Sequence, residues 1–198
     1  AMMAARGLID VLIPRGSAGL IKAVVEDSQV PVIETGDGVV HMFIDESADM
    51  TKALPMIVNS KVQRPSVCNA LETLLVHESI AASALPKIAA ELEAQGVTIH
   101  GCEKTLKLAS GVAATEADWS TEYYSLDLSV KVVADMNQAL DHIAKFSTRH
   151  TESIITEDQS NAERFLQEVD AAVVMVNAST RFTDGSEFGF GAEVGIST

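Results

Sequence analysis

Residues 72–99 read ETLLVHESIAASALPKIAAELEAQGVTI, and the fold is decided here. Glu72 to Val76 is a short apolar run that follows a Pro-marked break at Pro65, and it predicts a strand. Glu78 to Gln95 predicts a long helix, ended by Gly96, the residue type best able to take the left-handed position after a helix. Val97 to Ile99 predicts a second strand. Strand, helix and strand in close succession form a βαβ unit, whose two strands run parallel.

The same alternation extends outward. Upstream, Leu8 to Pro14 predicts a buried strand, followed by a turn at Arg15-Gly16-Ser17 and a helix through about Asp27. Pro31 to Glu34 and Gly38 to Ile44 predict two more strands, and Asp49 to about Lys61 an acid-capped helix. Downstream, residues 101–120 have weak periodicity and carry the only tryptophan, Trp119, so surface structure with one short helix is expected. Leu128 to Ala134, Ser153 to Thr156 and Ala171 to Asn177 predict strands, with helices over Asn137 to Lys145 and Ser160 to Val169. The expected class is α/β, a mostly parallel sheet with helices on both faces.

A chain of 198 residues can bury a sizeable core, and 47% hydrophobic with 5% aromatic residues suits helices on a parallel sheet. The formal charge of −14 argues against nucleic acid or an anionic membrane as a partner, and ordinary solubility explains it equally well. No apolar run approaches a membrane span, and no signal peptide opens the chain. The leading Ala1-Met2-Met3-Ala4 is expected to be a cloning remnant or a truncation start. Of the two cysteines, Cys68 and Cys102, neither has metal-ligand spacing, and the five histidines do not cluster with them. No metal site is expected, and a reducing cytoplasmic compartment fits best.

Chemistry concentrates at Gln63-Arg64-Pro65-Ser66-Val67-Cys68-Asn69. A cysteine between a break and a strand can be exposed enough to react, with Arg64 near enough to favour the nucleophilic thiolate. A small buried hydrophobe is the other reading of Cys68. Cys102 has no motif support and is expected to be incidental. Arg181, in Asn177-Ala178-Ser179-Thr180-Arg181-Phe182, lies between a strand and a glycine-rich stretch, as a loop residue of little weight in stability. Arg15 to Gly19 offers a helix N-terminus that either touches a cofactor or is ordinary turn chemistry.

Four stretches in order resemble one family: Leu12 to Gly19, the Cys68 segment, Val133 to Ile154, and Val176 to Glu193. That family is the gamma-glutamyl phosphate reductases, the proline-biosynthesis branch of the aldehyde dehydrogenase superfamily. The resemblance implies an aldehyde-dehydrogenase-like catalytic domain excised from a longer enzyme. Residues 1–45 would end a nucleotide-binding domain, 46–182 would be the catalytic domain, and 183–198 a glycine-rich return segment.

It also implies NADP(H)-dependent reduction of L-glutamyl 5-phosphate through a Cys68 thioester, with Asn69 at its side. Arg64, Ser179, Thr180 and Arg181 would bind substrate. Glu122 lies near where relatives place a carboxylate against the cofactor ribose. Glu34 matches the general base of aldehyde-oxidising relatives, which a reductase does not need, and is grouped with the cofactor or with strand-end hydrogen bonding. The partner implied is a small-molecule substrate, with a homo-oligomeric full-length enzyme. A non-catalytic α/β interaction module and an aldehyde-oxidising dehydrogenase stay open as alternatives.

Overall fold

A computed structural model describes residues 1–16, 18–34 and 37–191. Among these, strands Val40–Ile44 (β1), Leu71–His77 (β2), Thr98–Gly101 (β3), Val112–Ala113 (β4), Asp127–Val133 (β5), Thr151–Ile155 (β6) and Val173–Val176 (β7) form one sheet. Every pairing is parallel, and the order is β4-β3-β5-β2-β1-β6-β7. Helices are Ala18–Asp27 (α1), Met50–Val62 (α2), Glu78–Ala94 (α3), Glu103–Leu106 (α4), Met136–Phe146 (α5) and Gln159–Glu168 (α6).

Both faces of the sheet are covered, which is why β1 is buried throughout and β2 up to its last residue. On one face Met42, Ile44, Leu74, Val76, Val130 and Val132 meet Ile57 of α2 and Leu85, Ile88 and Leu92 of α3. On the other, Phe43, Leu75 and Ile154 meet Met136, Ala139 and Ile143 of α5 and Phe165 of α6. Asp49 caps α2 by accepting the Thr51 N–H, and Gly96 follows α3 with φ 76°. Helix α3 continues through Pro86, a residue that costs a helix interior about 3 kcal/mol. Burial of Ala81, Ala84, Leu85, Ile88, Ala89 and Leu92 offsets that loss.

The structure departs from the sequence reading in several places. Leu8 to Pro14 and Pro31 to Glu34 are not strands: they share a single parallel bridge, Leu12 to Val32, and Leu8 is 88% exposed. Apolar content alone does not make a strand where no ladder partner lies alongside. Residues 112–113 do pair, as the short edge strand β4 beside β3. β1 lies in the same sheet as every later strand.

Within the segment 101–120, Trp119 is buried, edge-on to His142 at 5.5 Å between ring centroids. The His142 ring also lies 3.0 Å from Lys131 Nζ through its Nδ1. Burial first, then the charges of His41, Lys131 and Lys145, push the His142 pKa down to about 2. The folded protein therefore keeps this ring neutral while the unfolded chain protonates it near 6.5. Its effect on stability is nil above that pH and grows unfavourable as pH falls below it, by about 1.4 kcal/mol per pH unit. His142→Phe is expected to flatten the acid limb of urea unfolding between about pH 6 and pH 4. An unchanged slope would contradict this.

Candidate active site

Helix α2 stops at Val62, and Pro65 cannot continue it, so residues 63–70 turn back into β2. Val67 C=O accepts the Ala70 N–H at 2.9 Å and closes the turn. Cys68 sits half-buried on it, at the amino end of β2. The loop entering β1 packs directly on this turn. A Cβ on Gly38 would lie 1.8 Å from the Cys68 carbonyl oxygen, so only glycine allows the approach. From the segment before β5, Glu122 accepts the Gly38 N–H and meets the Tyr124 hydroxyl. Gly38 thus joins the nucleophile turn to a carboxyl group.

Burial raises the Cys68 pKa, and the Glu122 charge raises it further; its own N–H, Arg15 and Arg181 oppose them without prevailing. Arg64 is exposed, and the charges of Arg15 and Arg181 are among those that favour the thiolate. Cys102 behaves oppositely. Burial pushes its pKa up, but the Thr105 hydroxyl and the N–H groups of Val132, Thr105 and Lys104 bring it below the usual thiol value. Cys102 stands at the cap position of α4, with its sulfur 3.3 Å from the Thr105 hydroxyl.

Arg181 reaches the site by a chain reversal. After β7, Asn177 adopts φ 52°, a left-handed conformation that asparagine tolerates, and its amide makes two bonds to the Thr156 backbone. The chain then returns beside β6, where Ser153 donates to Ala178 C=O and Thr151 meets Thr183 at 2.9 Å. Ser179 donates to Asn59 at 2.6 Å, and the Thr180 N–H bonds Ser60, so both residues dock the 3-10 turn Thr180–Thr183 onto α2.

Arg181 is 4% exposed. Its Nε donates to Gln63 at 2.8 Å, Nη1 to Asn69, and Nη2 to Asp184 at 3.2 Å. The picture of a loop arginine with little weight in stability is corrected, because the planar fork ties α2, the Cys68 turn and the return segment together. Arg181→Ala is expected to cost on the order of 2–4 kcal/mol in thermal unfolding, with Arg181→Lys recovering only part. A loss below about 1 kcal/mol, with a raised KM in the full-length protein, would return Arg181 to direct substrate contact.

The structure therefore brings Cys68, Asn69, Glu122 and Arg181 together, while Arg64 and Glu34 are exposed. Sequence reading missed Gly38, Tyr124 with φ 56°, and a buried ion pair, Lys61 Nζ to Glu72 Oε2 at 2.6 Å. The signal for the pair was a glutamate inside an otherwise apolar central strand. Among the described residues no group of three or more histidine, cysteine, aspartate or glutamate side chains could hold a metal ion.

No protein-family model matches the chain. A gamma-glutamyl phosphate reductase of Caldanaerobacter subterraneus subsp. tengcongensis is 60% identical over all 198 residues, which cover 48% of that protein. The chain is homologous throughout to the gamma-glutamyl phosphate reductases. It spans about half the length of the curated relatives it matches. The crystal structure of the Thermotoga maritima reductase superposes with a TM-score of 0.93 at 56% identity, covering 100% of this chain and 48% of that one. An acetylating aldehyde dehydrogenase of Geobacillus thermoglucosidasius shares 26% identity at a TM-score of 0.70, over 91% of this chain and 48% of that one. The aldehyde-dehydrogenase-like architecture read from the sequence is thus the one observed.

Proposed function

We propose that the chain is the cysteine-bearing part of an oxidoreductase that uses NADPH to reduce L-glutamyl 5-phosphate to L-glutamate 5-semialdehyde with release of phosphate. This is the second step of proline biosynthesis. The observation that carries the reading is Cys68, half-buried on a turn pinned by Gly38 beside Glu122, in a chain 60% identical to reductases of that name. The Cys68 sulfur, once it loses its proton, attacks the acyl carbon. A C–S bond forms, the C–O bond to phosphate breaks, and phosphate leaves with the electron pair. Burial and the Glu122 charge disfavour the thiolate in the site as it stands. The Cys68 backbone N–H is the donor proposed for the oxyanion, and Asn69 holds the turn through Arg181.

A bound nicotinamide supplies hydride to the acyl group. Glu122 Oε2 is buried with no hydrogen-bond partner, an acceptor position that fits a cofactor hydroxyl, with exposed Glu34 the second candidate. Arg64, exposed beside the Cys68 turn, remains the candidate for the substrate phosphate, with Ser179, Thr180 and Arg181 proposed to shape the substrate side from beneath. The full-length protein is proposed to act as a cytoplasmic homo-oligomer on this small molecule. No helix among the described residues is long and apolar enough to cross a membrane.

Steady-state kinetics of the full-length protein in the oxidative direction, with glutamate 5-semialdehyde, phosphate and NADP, test the reading. Phosphate-dependent cofactor reduction is expected, with NADP preferred to NAD. Phosphate-independent oxidation would mark an aldehyde-oxidising enzyme, and no turnover would mark a non-catalytic module. The 198-residue chain alone is expected to turn over little, because hydride transfer needs the nicotinamide held at near-attack distance by a protein about twice this length.

A further inference from the structure

We infer that Lys61 and Glu72 form a positioning pair for the nucleophile, gripping the Cys68 turn at both ends and linking it through Tyr123 to the Glu122 segment. The inference rests on the reading of Cys68 as nucleophile. Lys61 lies in the last turn of α2, just ahead of residues 63–70, and Glu72 lies just after them in β2. The two side chains are 0% exposed and bond at 2.6 Å. Tyr123 adds the third arm. Its N–H bonds Glu72, its ring centroid is 5.7 Å from Lys61 Nζ, and its hydroxyl donates to Asp118 at 2.8 Å and meets Ser129 of β5 at 2.9 Å.

Two features separate this from a plain structural contact. Burying an ion pair gives little net stability over apolar residues of the same volume, so adhesion of α2 to β2 does not require it. Glu72 Oε1 is also buried with no partner, a cost that simple packing would avoid. What the pair adds is direction. Lys61 attracts Glu72, Asp127 and Glu122 together, and Glu122 is the residue clamped to Gly38 against Cys68. Tyr124, next in the chain, keeps a left-handed backbone where its hydroxyl meets Glu122.

The test is the Lys61→Met/Glu72→Leu double variant of the full-length protein, followed by thermal unfolding, kinetics, and iodoacetamide labelling of Cys68 with peptide mapping across pH. The expected result is an unfolding midpoint equal to or above wild type. Cys68 labelling should rise about tenfold as the turn loosens, while kcat falls about tenfold or more with KM little changed. Should the double variant not fold, Tyr123→Leu removes the bridge to Glu122 and is expected to give the same opposed changes. A folded variant with wild-type labelling and wild-type kcat would overturn the inference. Labelling needs neither substrate nor cofactor, so its outcome is independent of whether the reductase reading holds.

Discussion

Cys68→Ala in the full-length protein is expected to lower phosphate-dependent turnover of glutamate 5-semialdehyde by about 10⁴-fold or more, because no other group can form the acyl bond. Cys68→Ser should fare little better, since a hydroxyl in a site that already disfavours the thiolate is a poorer nucleophile still. Both variants should fold, as the sulfur makes no hydrogen bond that the turn needs beyond its own N–H. Cys102→Ala is the matching control. It should keep turnover while losing roughly 1 kcal/mol with the Thr105 and Val132 bonds to the sulfur. Substantial turnover by Cys68→Ala, at unchanged KM, would remove the cysteine from the chemistry.

The second large effect concerns stability. Lys61→Met is expected to destabilise the fold by about 3–5 kcal/mol, the range for leaving one member of a buried pair alone. Burial already raises the Glu72 pKa to about 8 against the attraction of Lys61, and removing that attraction raises it further. A carboxyl raised in the folded state contributes stability fully below its unfolded value near 4.5 and loses it as pH rises toward the folded value. The deficit of Lys61→Met should therefore stay level from about pH 5 to pH 8 and be larger at pH 9, where only the wild-type carboxyl has lost its proton. Adding Glu72→Gln should recover much of it at the alkaline end. Urea unfolding across that range decides the matter, and a small deficit independent of pH would show that the pair is not charged or not buried as described.

Much of the architecture was legible because its determinants are local. The helix after β2 is bounded by Gly96, α2 by Asp49, and the alternation of apolar runs with amphipathic ones gives parallel strands directly. The site was legible only in part. Cys68 stands out by its turn, and Asn69, Glu122 and Arg181 do converge on it. Arg181 was misjudged because its burial depends on Asn177 turning the chain back beneath β6, a tertiary event with no signature beyond one asparagine. Lys61, Glu72 and Gly38 take their meaning from partners on other elements, and periodicity is silent about partners.

The strand order has a consequence for how the molecule is made. β5 lies between β2 and β3, although 25 residues separate it from β3 in the chain and 49 from β2 (127 − 102 and 127 − 78). On the ribosome, β1 and β2 can pair as soon as they emerge, but β3, with only the short β4 beside it, cannot join them until β5 is made. At roughly 5–20 residues per second, β2 presents an open edge of apolar backbone for several seconds until β5 arrives. The open flank of β1 waits longer still, until β6 emerges. The nascent sheet is therefore sticky on both sides until β5 emerges, and slow elongation or a heat-stressed cell would turn that interval into aggregation.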